Sequence, residues 1–506
     1  MKKTTLMTVV VSAIWCAVTS QVVQAQTNAA PTGVAQTNAA PRAGRGGFGG
    51  GFGMGGGAQG PVVPAITTNT PGMPGVPMPD PAVGRKAEWP HQDASNTPPE
   101  GYTARAPQDN GFYRRDAEGR QLPGTDLYRW ATSGHFTSYD LEDIPPYTLP
   151  DPLVMQDGRK VTSPEMWNKE RRPELISLFK DYIYGRVPED KLPKIIWEVR
   201  ATNRTETAIT KTVFGYFEGT TPPTNVPAGG GGFGGGFGRG GGGGNTITIN
   251  LTVPNVGHPV PVFSGGPVND PQGHGWGTFS VSGNAGVVAR IAPPPGQPRP
   301  GNFPGNYAVT GWAFSRAIDY LMTDKDVDGG HIIIAGMSTG GKQVLYTAAM
   351  DDRIWCVIPE SSGAMGVKLS RRDIGETVDD LATQPQFAGN YCPNFTNYVG
   401  RWNDMPVDQH EMIALMAPRK MFITGGNQEV WEDVKGGFAA AIAAEPVYNL
   451  LGKKGVNTVE MPPIEHPIVY GEIGYYQHNG AHTFTANERA WVTAWMEKLL
   501  PKAPAQ

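Results

Sequence analysis

Cysteine is scarce. Three residues in 506 cannot form a disulfide framework, and no Cys/His cluster has the spacing of a zinc site, so no metal is expected. One of the three, Cys16, falls in an N-terminal apolar run. Of the others, Cys356 lies in Trp355-Cys356-Val357-Ile358, a setting that favours a buried thiol, although an oxidising compartment would permit it to pair with Cys392. Excess positive charge is also missing. With 42 Lys and Arg against 46 Asp and Glu, the net charge is −4, and bulk charge gives no reason to expect nucleic acid or a membrane surface as partner. Long apolar runs are absent beyond the first 25 residues, so no stretch reaches the ~18 apolar residues of a membrane span. That first stretch, MKKTTLMTVVVSAIWCAVTSQVVQA, has two lysines, an apolar run and Val23-Gln24-Ala25 at its end. It reads as a secretory signal over residues 1–25, and Ile14 and Trp15 before Cys16 do not fit a lipoprotein attachment site. The expectation is an exported protein, periplasmic or secreted, of unknown oligomeric state.

Glycine and proline are plentiful, and unevenly spread. Residues 26–100 carry the repeat Gln26-Thr27-Asn28-Ala29-Ala30-Pro31, seen again at 36–41, then GGFGGGFG at 46–53 and proline-rich sequence. Such composition buries too little apolar surface to offset chain entropy and reads as a tether. The octapeptide returns at 231–238 between two alternating segments, Thr212–Phe217 and Thr246–Leu251. Residues 228–245 are therefore expected to form a disordered loop joining two strands. The remainder divides into an N-terminal extension, 101–190, packing on a domain at 191–501.

In that domain, helical and strand periods alternate. A helix is expected from Pro173. Apolar runs follow at Pro259–Phe263 and Gly286–Ala289, then a helical stripe of Phe314, Ala317, Ile318 and Leu321. Next come strand Ile332–Ile334, a helix from about Gln343, and strands at Trp355–Ile358 and Met421–Ile423. Trp491, Trp495 and Leu499 mark a last helix. This order predicts the α/β class: a mostly parallel sheet with helices on both faces.

The stretch GMSTGGKQ, residues 336–343, follows the Ile332–Ile334 strand. Gly336 to Lys342 approximates a phosphate-binding loop. However, that loop needs Ser or Thr after the lysine to hold magnesium, and Gln343 stands there. Gly336-x-Ser338-x-Gly340 instead fits the tight strand–helix turn that exposes a nucleophilic serine in α/β-hydrolases, where only small residues fit two before and two after the serine. The fold orders its triad serine, acid, histidine. His482, on a loop before the last helix, is the expected base, with His478 its competitor. Glu429, just past strand Met421–Thr424, is placed to orient the imidazole; Glu432, Asp433 and Glu360 are alternatives.

These and further segments resemble the glucuronoyl esterases, carbohydrate esterase family fifteen, from about Leu149 to Leu500. The matching text is LPDPLV (149–154), RRPELISLF (171–179), YGRVP (184–188), SRAIDYLMTDKDVD (315–328), GMSTGGK, SRRDIGETV (370–378), PVDQHEMIALMAPR (406–419) and EPVY (445–448). The resemblance implies an α/β-hydrolase fold and cleavage of esters between glucuronic acid on xylan and lignin alcohols. It implies Ser338 as nucleophile, His482 as base and Glu429 as acid, with Lys342, Glu376 and Trp431 contacting the sugar. Read from the residues alone, Lys342 is equally a buried counterion for Glu376, and Trp431 a core aromatic. Two positions depart from the family pattern. Thr339 stands where an oxyanion-binding arginine is expected, leaving its N–H as donor, with a second donor sought in Ser264-Gly265-Gly266. Ser361 stands at one of the family's acid positions, next to Glu360.

The expected function is an exported serine esterase acting through an acyl-enzyme on a carbohydrate ester of the 4-O-methyl-glucuronoyl type, without cofactor. The alternative, motivated by Thr339, is a hydrolase-fold protein that binds uronate sugars with impaired turnover.

Overall fold

Hydrophobic alternation in the first half of the domain and unbroken apolar runs in the second build two halves of one sheet. The computed structural model describes residues 147–221, 245–427, 432–480 and 482–501, together with 69, 73, 74, 128–130, 136–138 and 144. The signal segment, nearly all of the tether and all but Asn245 of the glycine tract lie outside the described residues. A hairpin pairs β1 (Tyr128–Trp130) with β2 (Phe136–Ser138). The main sheet has nine strands: β3 (Ile195–Arg204), β4 (Ala208–Phe217), β5 (Ile247–Pro254), β6 (Val260–Ser264), β7 (Gly277–Gly283), β8 (Val327–Met337), β9 (Ile354–Glu360), β10 (Lys420–Gly426) and β11 (Ile473–His478). Their order is β11-β10-β9-β8-β6-β7-β5-β4-β3. From β11 to β7 every pairing is parallel; from β7 to β3 every one is antiparallel. The glycine tract thus joins neighbouring antiparallel strands, with Gly215 opposite Ile247.

Burial follows the pairing. β5 alternates buried and half-buried positions, whereas β6 is buried throughout. Parallel strands covered on both faces need such continuous apolar runs. The cover comes from α1 (Pro164–Met166), α2 (Arg172–Phe179), α3 (Val287–Ile291), α4 (Asn306–Leu321), α5 (Thr339–Met350), α6 (Val378–Thr383), α7 (Gln409–Ala414), α8 (Val434–Leu450) and α9 (Ala486–Leu499). α9 closes one face over Phe263, Ile333, Ile358 and Phe422; α4, α5, α7 and α8 contribute to the larger core, which also takes in Trp167, Leu175 and Phe179.

Three local expectations change. The helix expected from Pro173 begins at Pro164, with π turns at Trp167–Arg171 and Lys180–Tyr184. Arg172 N–H bonds back to Trp167 O, a five-residue step immediately before Pro173, which has no N–H to offer the regular ladder. The run at 286–289 enters helix α3 through Gly286, whose φ is 70°. Finally, Trp491 is 45% exposed, and the buried stripe of α9 is Val492, Trp495 and Met496. Cys356 and Cys392 are both buried and unbridged, and burial pushes the Cys392 thiol up to about 11.

The motif stretches build a buried ionic frame. Arg171 binds Glu411 at 2.8 Å and Glu174 at 2.6 Å. Arg371 meets Asp408 at 3.3 Å, and Arg372 meets Asp433 at 2.7 Å. The acids also close helix ends: Asp408 and Glu411 form the capping box of α7, and Asp433 caps α8 through Gly436 N–H at 3.0 Å. Although burial opposes its charge, Arg372 and Lys368 hold the Asp433 carboxyl below the usual carboxylate range.

Candidate active site

β8 runs through the centre of the sheet with Ile332 to Gly336 buried, then turns sharply into α5. At the turn Ser338 has φ 58° and ψ −125°, a conformation costly for a residue with a side chain. The strain is held by neighbours: Ser338 N–H donates to Glu360 O at 3.0 Å, and Lys342 N–H to Ser338 O at 3.1 Å. Glycine at 336 is obligatory, because a Cβ there would lie 2.5 Å from Gly340 O. Ser338 and Thr339 remain half-buried at the carboxyl ends of the parallel strands, and the first N–H groups of α5, Thr339's included, lack intrahelical acceptors. The following loop of β6 presses on the same place. Gly265 and Gly266 have φ of 74° and 101°, and a Cβ on Gly266 would meet the Ala335 side chain at 2.5 Å.

Gln343, the residue that spoils a phosphate loop, is buried. Its amide donates to Tyr307 O at 3.1 Å and Thr347 Oγ1 at 3.0 Å. One turn beyond the serine, Lys342 is also buried; its ammonium donates to Ser362 O at 2.6 Å and Glu376 Oε2 at 2.7 Å. Glu376 Oε2 additionally accepts from Ala364 N–H at 3.0 Å. The segment from Ser361 to Gly366 wraps tightly here, with positive φ at Ser361, Gly363 and Met365. Around Gly363 there is no room for a side chain: a Cβ would sit 2.2 Å from Glu432 Oε2 and 2.4 Å from Glu376 Oε2. Glu432 therefore belongs beside Glu376 and Lys342, whereas Asp433 is committed to Arg372 and α8. Burial pushes the Lys368 ammonium below its ordinary range; it donates to Ile374 O and Glu376 O.

A second cluster lies on the α9 face. Glu360, His478 and Glu488 are all fully buried, with ligating atoms within 4.8 Å of one another. His478 Nδ1 is 3.3 Å from Glu488 Oε2, Ser361 hydroxyl donates to Glu360 Oε1 at 2.8 Å, and Thr424 hydroxyl donates to Glu488 Oε1. Hence the competing histidine is a strut between β11 and α9, while His482 is half-buried on the loop beyond it. Asn427 steadies the start of that loop: its N–H donates to His478 O at 3.0 Å, and its side chain bonds Gly480 N–H at 2.9 Å and Asn479 Oδ1 at 3.1 Å. Glu429 and Trp431 lie outside the described residues.

Sequence reasoning overlooked Glu488 and Asn427 as neighbours of the site. Glu488 carried a signal, since Thr485-x-x-Glu488 is a capping box before an apolar helix. Asn427 carried none, because a single asparagine after a strand is common. The arrangement offers a half-buried hydroxyl on a strained turn, N–H donors at a helix start and a histidine loop over the same sheet edge. This is a set of parts suited to acyl transfer.

A family profile described as "Glucuronyl esterase, fungi" matches residues 302–452. "Carbohydrate esterase MZ0003" from an unknown prokaryotic organism is 32% identical over 414 residues, covering 69% of this chain and 89% of that protein. A "4-O-methyl-glucuronoyl methylesterase" of Phanerochaete carnosa is 28% identical, covering 60% and 72%. Among solved structures, a glucuronoyl esterase from Solibacter usitatus superposes with a TM-score of 0.60 at 27% identity, over 71% of this chain and 99% of that one. A CE15 esterase from a marine bacterial metagenome, described as promiscuous, gives 0.59 at 28%, over 71% and 98%.

Proposed function

Because this chain belongs to carbohydrate esterase family 15, the glucuronoyl esterases, and is an esterase of the α/β-hydrolase fold, we propose that it hydrolyses uronate esters of the 4-O-methyl-glucuronoyl type through Ser338. Ser338 Oγ attacks the ester carbonyl while His482 accepts its proton. The C–O bond to the alcohol then breaks, and His482 returns the proton to the departing oxygen. Water, activated by the same imidazole, releases the uronic acid from the acyl-enzyme. Thr339 N–H and a donor from Ser264-Gly265-Gly266 face the tetrahedral oxyanion. Glu429 orients His482 and stabilises its charged form.

Lys342, Glu376 and Trp431 take the sugar. Among the described residues, Lys342 spends two of its three donors on Ser362 O and Glu376, leaving one for a hydroxyl, and Glu376 uses only Oε2, leaving Oε1 as acceptor. In this reading the ion pair prepares both side chains for the substrate. The binding-only alternative finds no support among the relatives above, each of which carries an esterase name. Export through residues 1–25 is part of the proposal. Among the described residues, no helix is long and apolar enough to cross a membrane.

The observation that carries this reading is the left-handed backbone of Ser338 at the end of β8. The test compares wild type with Ser338→Ala on methyl glucuronate, benzyl glucuronate and acetylated xylan. Hydrolysis of the glucuronate esters should fall by ~10⁴-fold or more in the variant, and a serine-reactive phosphonate should label only the wild type. Equal rates in both proteins would sink the proposal.

A further inference from the structure

At the amino ends of β10 and β11, one sheet length from Ser338, the surface is built differently. Ile468 and Tyr475 exchange N–H···O bonds of 2.8 and 2.9 Å, closing a loop that carries Val469 and Tyr470. Val469 is 39% exposed and Tyr470 65%, an arrangement that leaves apolar surface in water instead of folding it inward. The loop backbone is anchored. A Cβ on Gly471 would meet Gly455 O at 2.1 Å, Glu472 N–H donates to Lys454 O at 2.7 Å, and Asn457 donates to Tyr470 O at 3.5 Å. Beside the tyrosine lies an open groove of about 520 Å³ walled by Asn449, Lys453, Lys454 and Glu472.

The charges there favour an anion. Glu472 is held by Lys420 as well as by Lys453 at 3.1 Å, and Glu445 is occupied by Gly455 N–H and Asn457 N–H. Lys454 is exposed and makes no ion pair among the described residues. An exposed aromatic ring on an anchored backbone, two ammonium groups and a side-chain amide are the elements that recognise a pyranose ring bearing a carboxylate: the ring stacks, the acid meets the lysines, and a hydroxyl meets the amide.

We propose that this groove is a second, non-catalytic binding site for acidic polysaccharide, gripping uronic-acid side groups of the polymer whose esters the catalytic edge cleaves. Naming that polymer rests on the esterase reading above. Since β11 spans six residues, about 20 Å, separates the two places, a chain held here anchors the enzyme without occupying the catalytic edge.

The test uses the Ser338→Ala protein in native affinity gels containing de-esterified glucuronoxylan, neutral arabinoxylan or heparin. Retardation by glucuronoxylan, weak with arabinoxylan and reduced at least about threefold by Tyr470→Ala and by Lys453→Ala/Lys454→Ala, is the expected result. Unchanged mobility of the Tyr470→Ala protein would overturn the proposal. So would equal retardation by heparin and glucuronoxylan that Tyr470→Ala leaves intact, since that reports charge attraction alone. Tyr470→Ala in the otherwise wild-type enzyme should leave kcat/KM on benzyl glucuronate within about twofold. Loss of that hydrolysis in wild type itself would count against the esterase reading, and the gel result would still decide the groove.

Discussion

Arg171–Glu411 and Lys342–Glu376 are both ion pairs with almost no exposure, yet their surroundings are balanced differently. In the frame around α7, the fully buried acids Glu411, Asp408 and Asp433 each have an arginine and each also closes a helix end, while the part-exposed Glu174 shares Arg171. At the catalytic edge, Glu376 and Glu432 both crowd Gly363 beside Lys342, and the neighbouring Lys368 is spent on main-chain carbonyls. The His478 cluster likewise sets two carboxylates around one imidazole. Matched buried charge serves the fold. Crowded buried carboxylates are kept at a stability cost, a pattern that accompanies functional sites.

The largest effect should come from breaking a pair. Lys342→Met alone should cost about 3–5 kcal/mol by leaving a buried carboxylate uncompensated. Adding Glu376→Met should recover most of that in denaturant melts while glucuronate ester turnover stays at least ~10²-fold down. The matching double variant in the frame, Arg171→Met/Glu411→Leu, should recover stability and keep turnover within about threefold. If both double variants stay active, the contrast between the two regions fails.

Next comes the turn. Gly336→Ala sets a methyl against the backbone carbonyl Gly340 O, which cannot swing aside as a side chain would, and should lower kcat by ~10²-fold through a displaced Ser338, at about 1–3 kcal/mol in stability. His478→Asn keeps an amide near the place of Nδ1 and should retain activity within ~10-fold, whereas His478→Phe should lose ~10²-fold; identical kinetics for the two would remove the strut role. The smallest effect at neutral pH belongs to His410. Burial lowers its pKa to about 4, and its Nε2 bonds Pro150 O at 2.8 Å. The fold therefore keeps His410 neutral where the unfolded chain takes a proton, so its stabilising contribution is lost as pH falls from 6.5 to 4. His410→Gln should flatten that acid limb by on the order of 2–3 kcal/mol and leave turnover at pH 7 unchanged. A wild-type limb that persists in the variant must come from other groups.

Much of the site's position was legible from local pattern. GMSTGGKQ after an apolar strand specified the turn, because Gly336 and Ser338 answer constraints that act within five residues. Lys342 was readable as either sugar ligand or counterion, and the structure joins it to Glu376. Sequence put His482 ahead of His478 from its loop position, but only the structure shows His478 held in the interior beside Glu488 of α9, ten residues on. Trp491 was misread for a related reason. A three-residue stripe fits helical spacing at two rotations that share Trp495, and only packing buries Val492 and Met496 beside it and leaves Trp491 outside.

The sequence by itself determined the α/β class, the parallel half of the sheet and the strained serine turn. These depend on periodicity, on glycine's missing Cβ and on connection rules, all of which are local. Only the tertiary structure decided which buried charges are matched, which histidine is a strut and where an exposed tyrosine meets two lysines. Those outcomes depend on side chains far apart in sequence sharing a low-dielectric space, where whichever partner packing brings within about 3 Å settles each group's role.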